Sequence, residues 1–294
     1  MSGPLRLLVT GAGGLLGGRL AALFHERGFD VTGAWRDSPP PPGIRALRAD
    51  LVDAGSIGAL LDEARPQAVV HAAVLSRAND CEARPDDAWQ VNAVLPGLVA
   101  RACARRGIRL VALSTDLVFA GDREGSSEEH ATGPLNVYGR SKLAGEQAVL
   151  AACPAAAVAR SALVLGRGHG AHATSSESIA QALRAGRSLR LYTDEFRTPV
   201  DPESLAAALA RLARGREAGV FHLGGPERVS RYELGLRVAR AFGLDASGLV
   251  AGVRAEHRGP DRRAPDTSLD SGRARRELGY EPRPLDAAIA ESRL

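Results

Sequence analysis

The chain has 294 residues, 45% of them hydrophobic and 24% charged, with a formal net charge of +4. That length supplies a large core and one or two closely joined domains, and no apolar run approaches the ~20 residues of a membrane span. The basic residues are scattered among acids rather than gathered into the concentrated face that nucleic acid needs, so small anionic molecules are the expected partners.

The first stretch, "LRLLVT", is an apolar strand that runs straight into glycines, with no basic region and cleavable apolar leader before it. A soluble, cytoplasmic protein is the expectation. "GLLGGRLAALFHERG" has helical spacing and a closing glycine, "FDVTGAW" is a strand stopped by "SPPPPG", and "IRALRAD" is a short strand. "VDAGSIGALLDEA" reads as a helix, "PQAVVHAA" as a strand, and "PDDAWQVNAVLPGLVARACARRG" as a long helix that Pro96 can kink. "IRLVALST" is a strand, "NVYGRSKLAGEQAVLAAC" a helix and "AAAVARSALVL" a strand. Apolar strands alternating with amphipathic helices predict βαβ units, a parallel sheet and right-handed crossovers, hence an α/β, Rossmann-type doubly wound fold with helices on both faces. After residue 165 the rhythm breaks. Residues 1–165 are assigned to a nucleotide-binding domain to which 195–224 returns, and 166–194 with 225–294 to a smaller substrate-binding lobe.

Cys81, Cys103 and Cys153 are odd in number and lack a Cys-x-x-Cys spacing, so they read as reduced, buried thiols. His169 and His172 are the one close histidine pair, without further ligands nearby, and no metal is expected. The run "GRGHGAHATSSES" around them has no apolar periodicity and predicts a mobile loop over the substrate cleft.

"VTGAGGLLGG" places Gly11, Gly14 and Gly17 at G-x-x-G-x-x-G spacing after the first strand and at the head of the first helix. Such a turn brings backbone close to a diphosphate and aims helix N–H groups at it, with Gly13, Leu15 and Leu16 contributing to the same cradle. Where the second strand ends, an acidic residue would bind a ribose 2′-hydroxyl. Arg36 stands there and suits a 2′-phosphate, so NADPH is expected in preference to NADH, with Asp37 as the competing reading one residue on.

Lys142 is the only lysine; the other 37 of the 38 basic residues are arginine. Position 142 therefore requires something that a guanidinium does not give. An ammonium is compact and shifts its pKa, whereas a guanidinium is a broad fork that stays protonated. Tyr138, one helical turn earlier, shares its face. A neighbouring ammonium lowers a phenol's pKa, and that makes Tyr138 a candidate proton donor near neutral pH.

Ser114 and Thr115 end the strand before this helix. With Tyr138 and Lys142 they resemble the Ser/Thr and Tyr-x-x-x-Lys constellation of the extended short-chain dehydrogenase/reductases. More narrowly, "STDLVFAG", "PLNVYGRSKLAGE", "HAAVLSRANDCE", "VN" at 91–92, "DEFRTPVDPESLA" and "DTSLDSGRARRELGY" resemble the dTDP-4-dehydrorhamnose reductase family over nearly the whole chain. The resemblance implies an NADP-dependent oxidoreductase acting on CH–OH or ketone groups, with a nucleotide-sugar or other ketone as substrate. It implies that Thr115 bonds the substrate carbonyl with Ser114 its neighbour, that Tyr138 delivers the proton, and that Lys142 holds the nicotinamide ribose. It also implies cofactor contacts at Asp50, Leu51, Ala72, Ala73 and Asn92, and substrate contacts at Ser76, Leu117, Arg197 and Arg262, with Arg263 a further diphosphate candidate. A homodimer stays open.

Two departures are visible. Leu117 and Leu75 stand where the family usually has tyrosine, which makes the substrate pocket more apolar. A dehydratase resembling "TDEVYG" would need an acid at position 117, and an epimerase would need an acidic residue where Arg36 stands. A non-catalytic NADP-binding subunit of the same fold remains the alternative from another class.

Overall fold

The computed structural model describes residues 3–53, 55–170 and 173–290. Its central feature is a parallel sheet of seven strands: β1 (Arg6–Thr10), β2 (Asp30–Trp35), β3 (Arg45–Arg48), β4 (Ala68–His71), β5 (Arg109–Thr115), β6 (Ala157–Ser161) and, later in the chain, β9 (Gly219–Leu223). Their order is β3-β2-β1-β4-β5-β6-β9. The chain runs outward from β1 to β3, then returns past β1 to build the other half. The carboxyl ends of β1 and β4 therefore flank the switch point where ligands bind in such sheets.

The inner strands β1, β4 and β5 are nearly continuous apolar runs because both faces are covered. On one face α1 (Leu15–Glu26) and α8 (Pro202–Arg214) pack Leu20, Phe24, Leu205 and Leu209 against Val9, Val70 and Val111. On the other, α2 (Ser56–Ala64), α5 (Leu95–Arg106) and α6 (Val137–Ala152) bury Leu60, Val99 and Val149 against Leu8, Val69, Leu110 and Val158. Two short helices, α3 (Ala78–Ala83) and α4 (Pro85–Trp89), follow β4.

The kink expected at Pro96 takes the form of a π-helical turn, Gln90–Val94, between α4 and α5. Pro96 has no N–H to give the carbonyl of Asn92, four residues back. That oxygen faces α6 at Gly145, where a Cβ would stand 2.1 Å from it. Gly145→Ala must therefore push α5 and α6 apart. We expect a loss of about 1–3 kcal/mol, the usual range for overpacking, read as a lowered denaturant midpoint.

Outside the sheet, α7 (Ser175–Arg184), β7 (Leu189–Tyr192), α9 (Arg231–Phe242) and β11 (Leu249–Gly252) form a second cluster, with β7 and β11 paired in parallel. Its own core joins Ile179, Leu191, Leu234, Val238 and Leu249 to Leu285 and Ile289 of α11 (Leu285–Ala290). β8 (Phe196–Arg197) pairs antiparallel with β10 (Val229–Ser230), while α10 (Gly272–Leu278) packs back onto β9.

Candidate active site

At the head of α1 the sequence provides an anion cradle. Gly14 is the N-cap, no side chain caps the helix, and the first turn holds no acid. The leading N–H groups are thus left for a ligand, and the helix dipole favours a negative one. The turn cannot carry side chains. Gly11 has a φ of +68°, and a Cβ there would come within 2.7 Å of the Ala73 backbone, while one on Gly17 would lie 2.3 Å from the Gly11 carbonyl. Ala72 and Ala73 are fixed as a wall beside the turn because their N–H groups both donate to Thr10 Oγ1, at 3.2 and 3.3 Å. Thr10 in turn meets Nδ1 of buried His71 at 2.8 Å, and burial, reinforced by Lys142, pushes the His71 pKa down to about 3. These features fit a dinucleotide diphosphate, and Gly11, Gly13, Gly14, Leu15, Leu16 and Gly17 are the positions that would hold it.

At the end of β2 the two competing readings turn out to be partners. Arg36 donates to Asp37 Oδ2 through Nε at 2.9 Å and reaches the same oxygen through Nη2 at 2.8 Å. The hydrogen bond to Asp37 raises the Arg36 pKa, and the same bond lowers that of Asp37. Both side chains are more than half exposed, so the pair is worth at most about 1 kcal/mol and yields readily to a better anion. Asp50 and Leu51 form the turn after β3, with Asp50 Oδ1 accepting from the Val52 N–H at 3.2 Å.

The carboxyl end of β5 meets the first turns of α6. Asn136 caps α6 by accepting from the Gly139 N–H at 2.8 Å, and Glu82 Oε1 accepts from the Val137 N–H at 2.8 Å. Gly139 is required because the Leu117 carbonyl sits where its Cβ would be, 2.2 Å away. Tyr138 and Thr115 come into side-chain contact. Burial pushes the phenol's pKa above its ordinary range, and the neighbouring Asp116 adds to the rise. This corrects the expectation that Lys142 lowers it. The Lys142 ammonium is turned instead to the Leu113 carbonyl, 2.7 Å away. Lys142 is only 7% exposed, and burial lowers its pKa to about 8 against the opposing charge of Glu146.

Ser114 is tied to a buried carboxylate. Its hydroxyl donates to Glu146 Oε1 at 2.5 Å, and Glu146 is gripped by Arg160 through Nε at 2.9 Å and Nη2 at 2.7 Å. This buried clamp ties β5, α6 and β6 together one turn beyond Lys142. Asn92, expected at the cofactor, is likewise tied into the protein. It is fully buried, accepts from the Leu75 N–H at 2.9 Å, and donates to the Leu75 carbonyl at 2.9 Å and to Ser141 Oγ at 3.2 Å. It pins the segment after β4 to the tyrosine helix. Ser76, next along, is exposed, and Leu117 presents an apolar side chain beside Thr115.

Two of the arginines expected to meet a diphosphate form ion pairs within the protein. Arg197 lies buried between Asp116 at 3.5 Å and Glu195 at 3.2 Å, and Arg263 donates to Glu195 Oε2 at 2.9 Å. Arg262 is exposed, and its carbonyl accepts from Asn136 at the head of α6 at 3.3 Å. The loop after β6 was expected over the substrate cleft. Its described part packs on the glycine turn instead: the His169 N–H donates to the Leu15 carbonyl at 3.0 Å, and its Nε2 meets the Pro39 carbonyl at 3.2 Å. The missing Cβ of Gly18 makes room for the imidazole, since a Cβ there would lie 2.3 Å from His169 Cδ2. His172 lies outside the described residues, and no cluster of three potential metal ligands occurs among the described ones. No helix among the described residues is long and apolar enough to cross a membrane.

Glu82, Glu146, Arg160, Thr10 and His71 were not singled out from the sequence. The only signal for Glu146 was its position one turn after Lys142.

The comparisons with known proteins agree with this architecture. A chain from Haloferax volcanii named as a probable low-salt glycan biosynthesis reductase, Agl14, is 32% identical over 289 residues, covering 96% of this chain and 95% of its own. The dTDP-4-dehydrorhamnose reductase of Mycolicibacterium smegmatis is 33% identical over 275 residues, covering 92% and 79%. Among solved structures, a hypothetical dTDP-4-dehydrorhamnose reductase from Sulfolobus tokodaii superposes with a TM-score of 0.84 at 29% identity, covering 96% and 98%. The model of the RmlD substrate binding domain family matches residues 5–293, and the chain belongs to that family.

Proposed function

We propose that the protein is an NADPH-dependent ketoreductase that reduces the 4-keto group of a nucleotide-sugar, or a closely related ketone. The observation that carries the reading is the contact of Tyr138 with Thr115 at the carboxyl edge of the sheet, with Lys142 one helical turn on and an uncapped glycine turn at the head of α1. The relatives named as reductases, including those of dTDP-sugars, support the reaction class. A Bacillus anthracis structure of the same fold, solved in complex with NADP, supports the cofactor.

The glycine turn and the Ala72–Ala73 wall hold the dinucleotide, and Arg36 takes its 2′-phosphate by exchanging Asp37 for a stronger anion. NADPH, when bound, supplies the hydride. Lys142 offers its ammonium to the ribose hydroxyls, a group small enough for a site walled by the Leu113 backbone. Tyr138 gives its phenolic proton to the oxygen that becomes negative as the carbonyl is reduced. A phenol held above its ordinary pKa stays loaded with that proton across the neutral range. Leu75 and Leu117 present an apolar wall to the substrate, and Arg262, the one arginine of the trio left at the surface, meets a diphosphate near the head of α6.

Cofactor choice gives a direct test. NADPH should bind more tightly than NADH, and Arg36→Ala should remove most of the difference, about 1–3 kcal/mol for one charge-assisted contact. Asp37→Ala, which frees Arg36, should strengthen NADPH binding. Equal affinity for the two cofactors in the native protein would sink the assignment of Arg36. Substrate class is tested by loss of nicotinamide absorbance against a panel of nucleotide-4-keto-sugars and simple ketones.

A second reading rests on a specific likeness. The methionine adenosyltransferase 2 subunit beta of Rattus norvegicus is 30% identical over 251 residues, covering 83% of this chain and 74% of its own. A protein serving as such a subunit would bind NADPH without turning it over on any ketone of the panel.

A further inference from the structure

We propose a second binding site, for a nucleoside polyphosphate, at the amino ends of β1, β2 and β3, on the edge of the sheet opposite the glycine turn. Arg6, Arg45 and Arg65 line a cavity of about 450 Å³ there, together with Asp30, Leu7 and Ala64. That volume falls in the range of pockets that hold small molecules.

The observation that points to a ligand is the conformation of Arg65. This residue ends α2 with φ 43° and ψ 50°, in the left-handed region. Among the described residues it is the only one other than glycine with a positive φ. Elsewhere the chain puts glycine at this place: Gly107, Gly243 and Gly279 end α5, α9 and α10 in the same conformation. Glycine suits it because there is no Cβ to crowd the backbone. Pro66 adds to the strain, since the residue before a proline is pushed toward extended conformations. A merely solvated arginine needs no such position. Strain of this kind persists where the side chain has a use, and here the side chain borders the cavity.

The turn is firmly pinned. The Arg65 N–H donates to the Leu61 carbonyl at 2.9 Å, and the Arg65 carbonyl accepts from Arg6 Nε at 2.7 Å. The Gln67 N–H donates to the Arg6 carbonyl at 2.8 Å, and Gln67 Oε1 accepts from the Arg6 N–H at 3.1 Å. Among the described residues, the Arg6 Nη groups and the Arg65 guanidinium meet no hydrogen-bond or ion-pair partner. Arg45 reaches Glu63 Oε1 at 3.5 Å with both side chains more than half exposed, so it yields to a stronger anion. Guanidinium forks are the donors that phosphate oxygens take, often two at a time. Three of them against one carboxylate favour a ligand with at least two phosphate charges. Asp30 would repel a bare phosphate, but as an acceptor it suits the N–H or O–H groups of a base or sugar.

Isothermal titration of the full chain, saturated with NADPH so that the glycine turn is filled, tests the site with ATP, dTTP and tripolyphosphate as probes. At least one nucleotide should bind saturably, and more tightly than tripolyphosphate. Arg65→Gly should weaken that binding about tenfold or more, the effect of one lost charge-assisted contact. Arg45→Gln should do the same, and NADPH affinity should stay native in both. Without nucleotide, Arg65→Gly should raise the denaturant midpoint, because it relieves the strained helix end. An arginine kept only for the fold would not give a gain in stability with a loss in binding. No saturable binding of either nucleotide, an affinity unchanged in Arg65→Gly, or tripolyphosphate binding as tightly as both nucleotides overturns the proposal. So does a lower midpoint in ligand-free Arg65→Gly, since the arginine would then serve the fold. None of these readings depends on turnover, so they stand apart from the assignment of the active site.

Discussion

Tyr138→Phe is expected to lower the reduction rate by about 10² to 10⁴, the range for loss of a positioned general acid. The substitution removes one oxygen. The ring keeps its place in the first turn of α6, whose capping by Asn136 and Glu82 does not involve the phenol. Thr115 loses a neighbour but keeps its bonds to Asp116 and the Leu117 N–H. Folding stability and NADPH affinity should therefore stay near native values while kcat collapses. The pH dependence sharpens the test. An acid is lost as pH rises through its folded pKa, and burial holds that of Tyr138 above the ordinary phenol range. A basic limb near pH 8 would thus belong to Lys142, whose buried ammonium has a pKa of about 8. Turnover within tenfold of native in Tyr138→Phe would remove the phenol from the mechanism.

The doubly wound parallel sheet was legible because short apolar strands alternate with amphipathic helices, and the crossover rule left few ways to join them. The Tyr138–Lys142 pair was legible because four residues on a helix fix a shared face. Direction was not. The spacing puts Lys142 next to Tyr138, yet the ammonium points to the Leu113 carbonyl, an acceptor supplied by a strand 29 residues earlier in the chain. Arginines misled for a related reason. Sequence lists 37 of them without saying which ones carry a partner. Arg197 looked like a diphosphate ligand and is buried between Asp116 and Glu195, one of them 81 residues away in sequence. Asn92, expected at the cofactor, lies in the π turn ahead of Pro96 and bonds the Leu75 backbone. Each miss concerns where a polar group points after distant elements meet, which periodicity does not encode.

Lys142→Arg is expected to fail almost as badly as Lys142→Ala, losing NADPH affinity and turnover together. If charge were the requirement, arginine would serve, as it does at every other basic position of the chain. The surroundings argue otherwise. Lys142 is 7% exposed and its nitrogen already lies 2.7 Å from the Leu113 carbonyl. The adjoining cavity, lined by Asn92, Pro96, Leu113, Gly145 and Glu146, measures about 10 Å³, enough for at most one water. A guanidinium adds heavy atoms that this space does not hold, so it must displace the β5 backbone or swing toward the ribose. Displacing a reacting group by about 1 Å costs on the order of a hundredfold in rate. The arginine would also stay protonated at every working pH, so any basic limb near pH 8 should vanish from its residual activity. The stability curve carries an independent mark. A lysine whose folded pKa is depressed binds fewer protons folded than unfolded, so its burial penalty is present below about pH 8 and relieved as pH rises beyond it. Lys142→Met should therefore be stabilised relative to the native protein at pH 7 and lose that advantage by pH about 10, measured as the difference in denaturant midpoint. Near-native turnover in Lys142→Arg would mean that charge alone suffices at this position, and that its solitary lysine has no part in seating the cofactor.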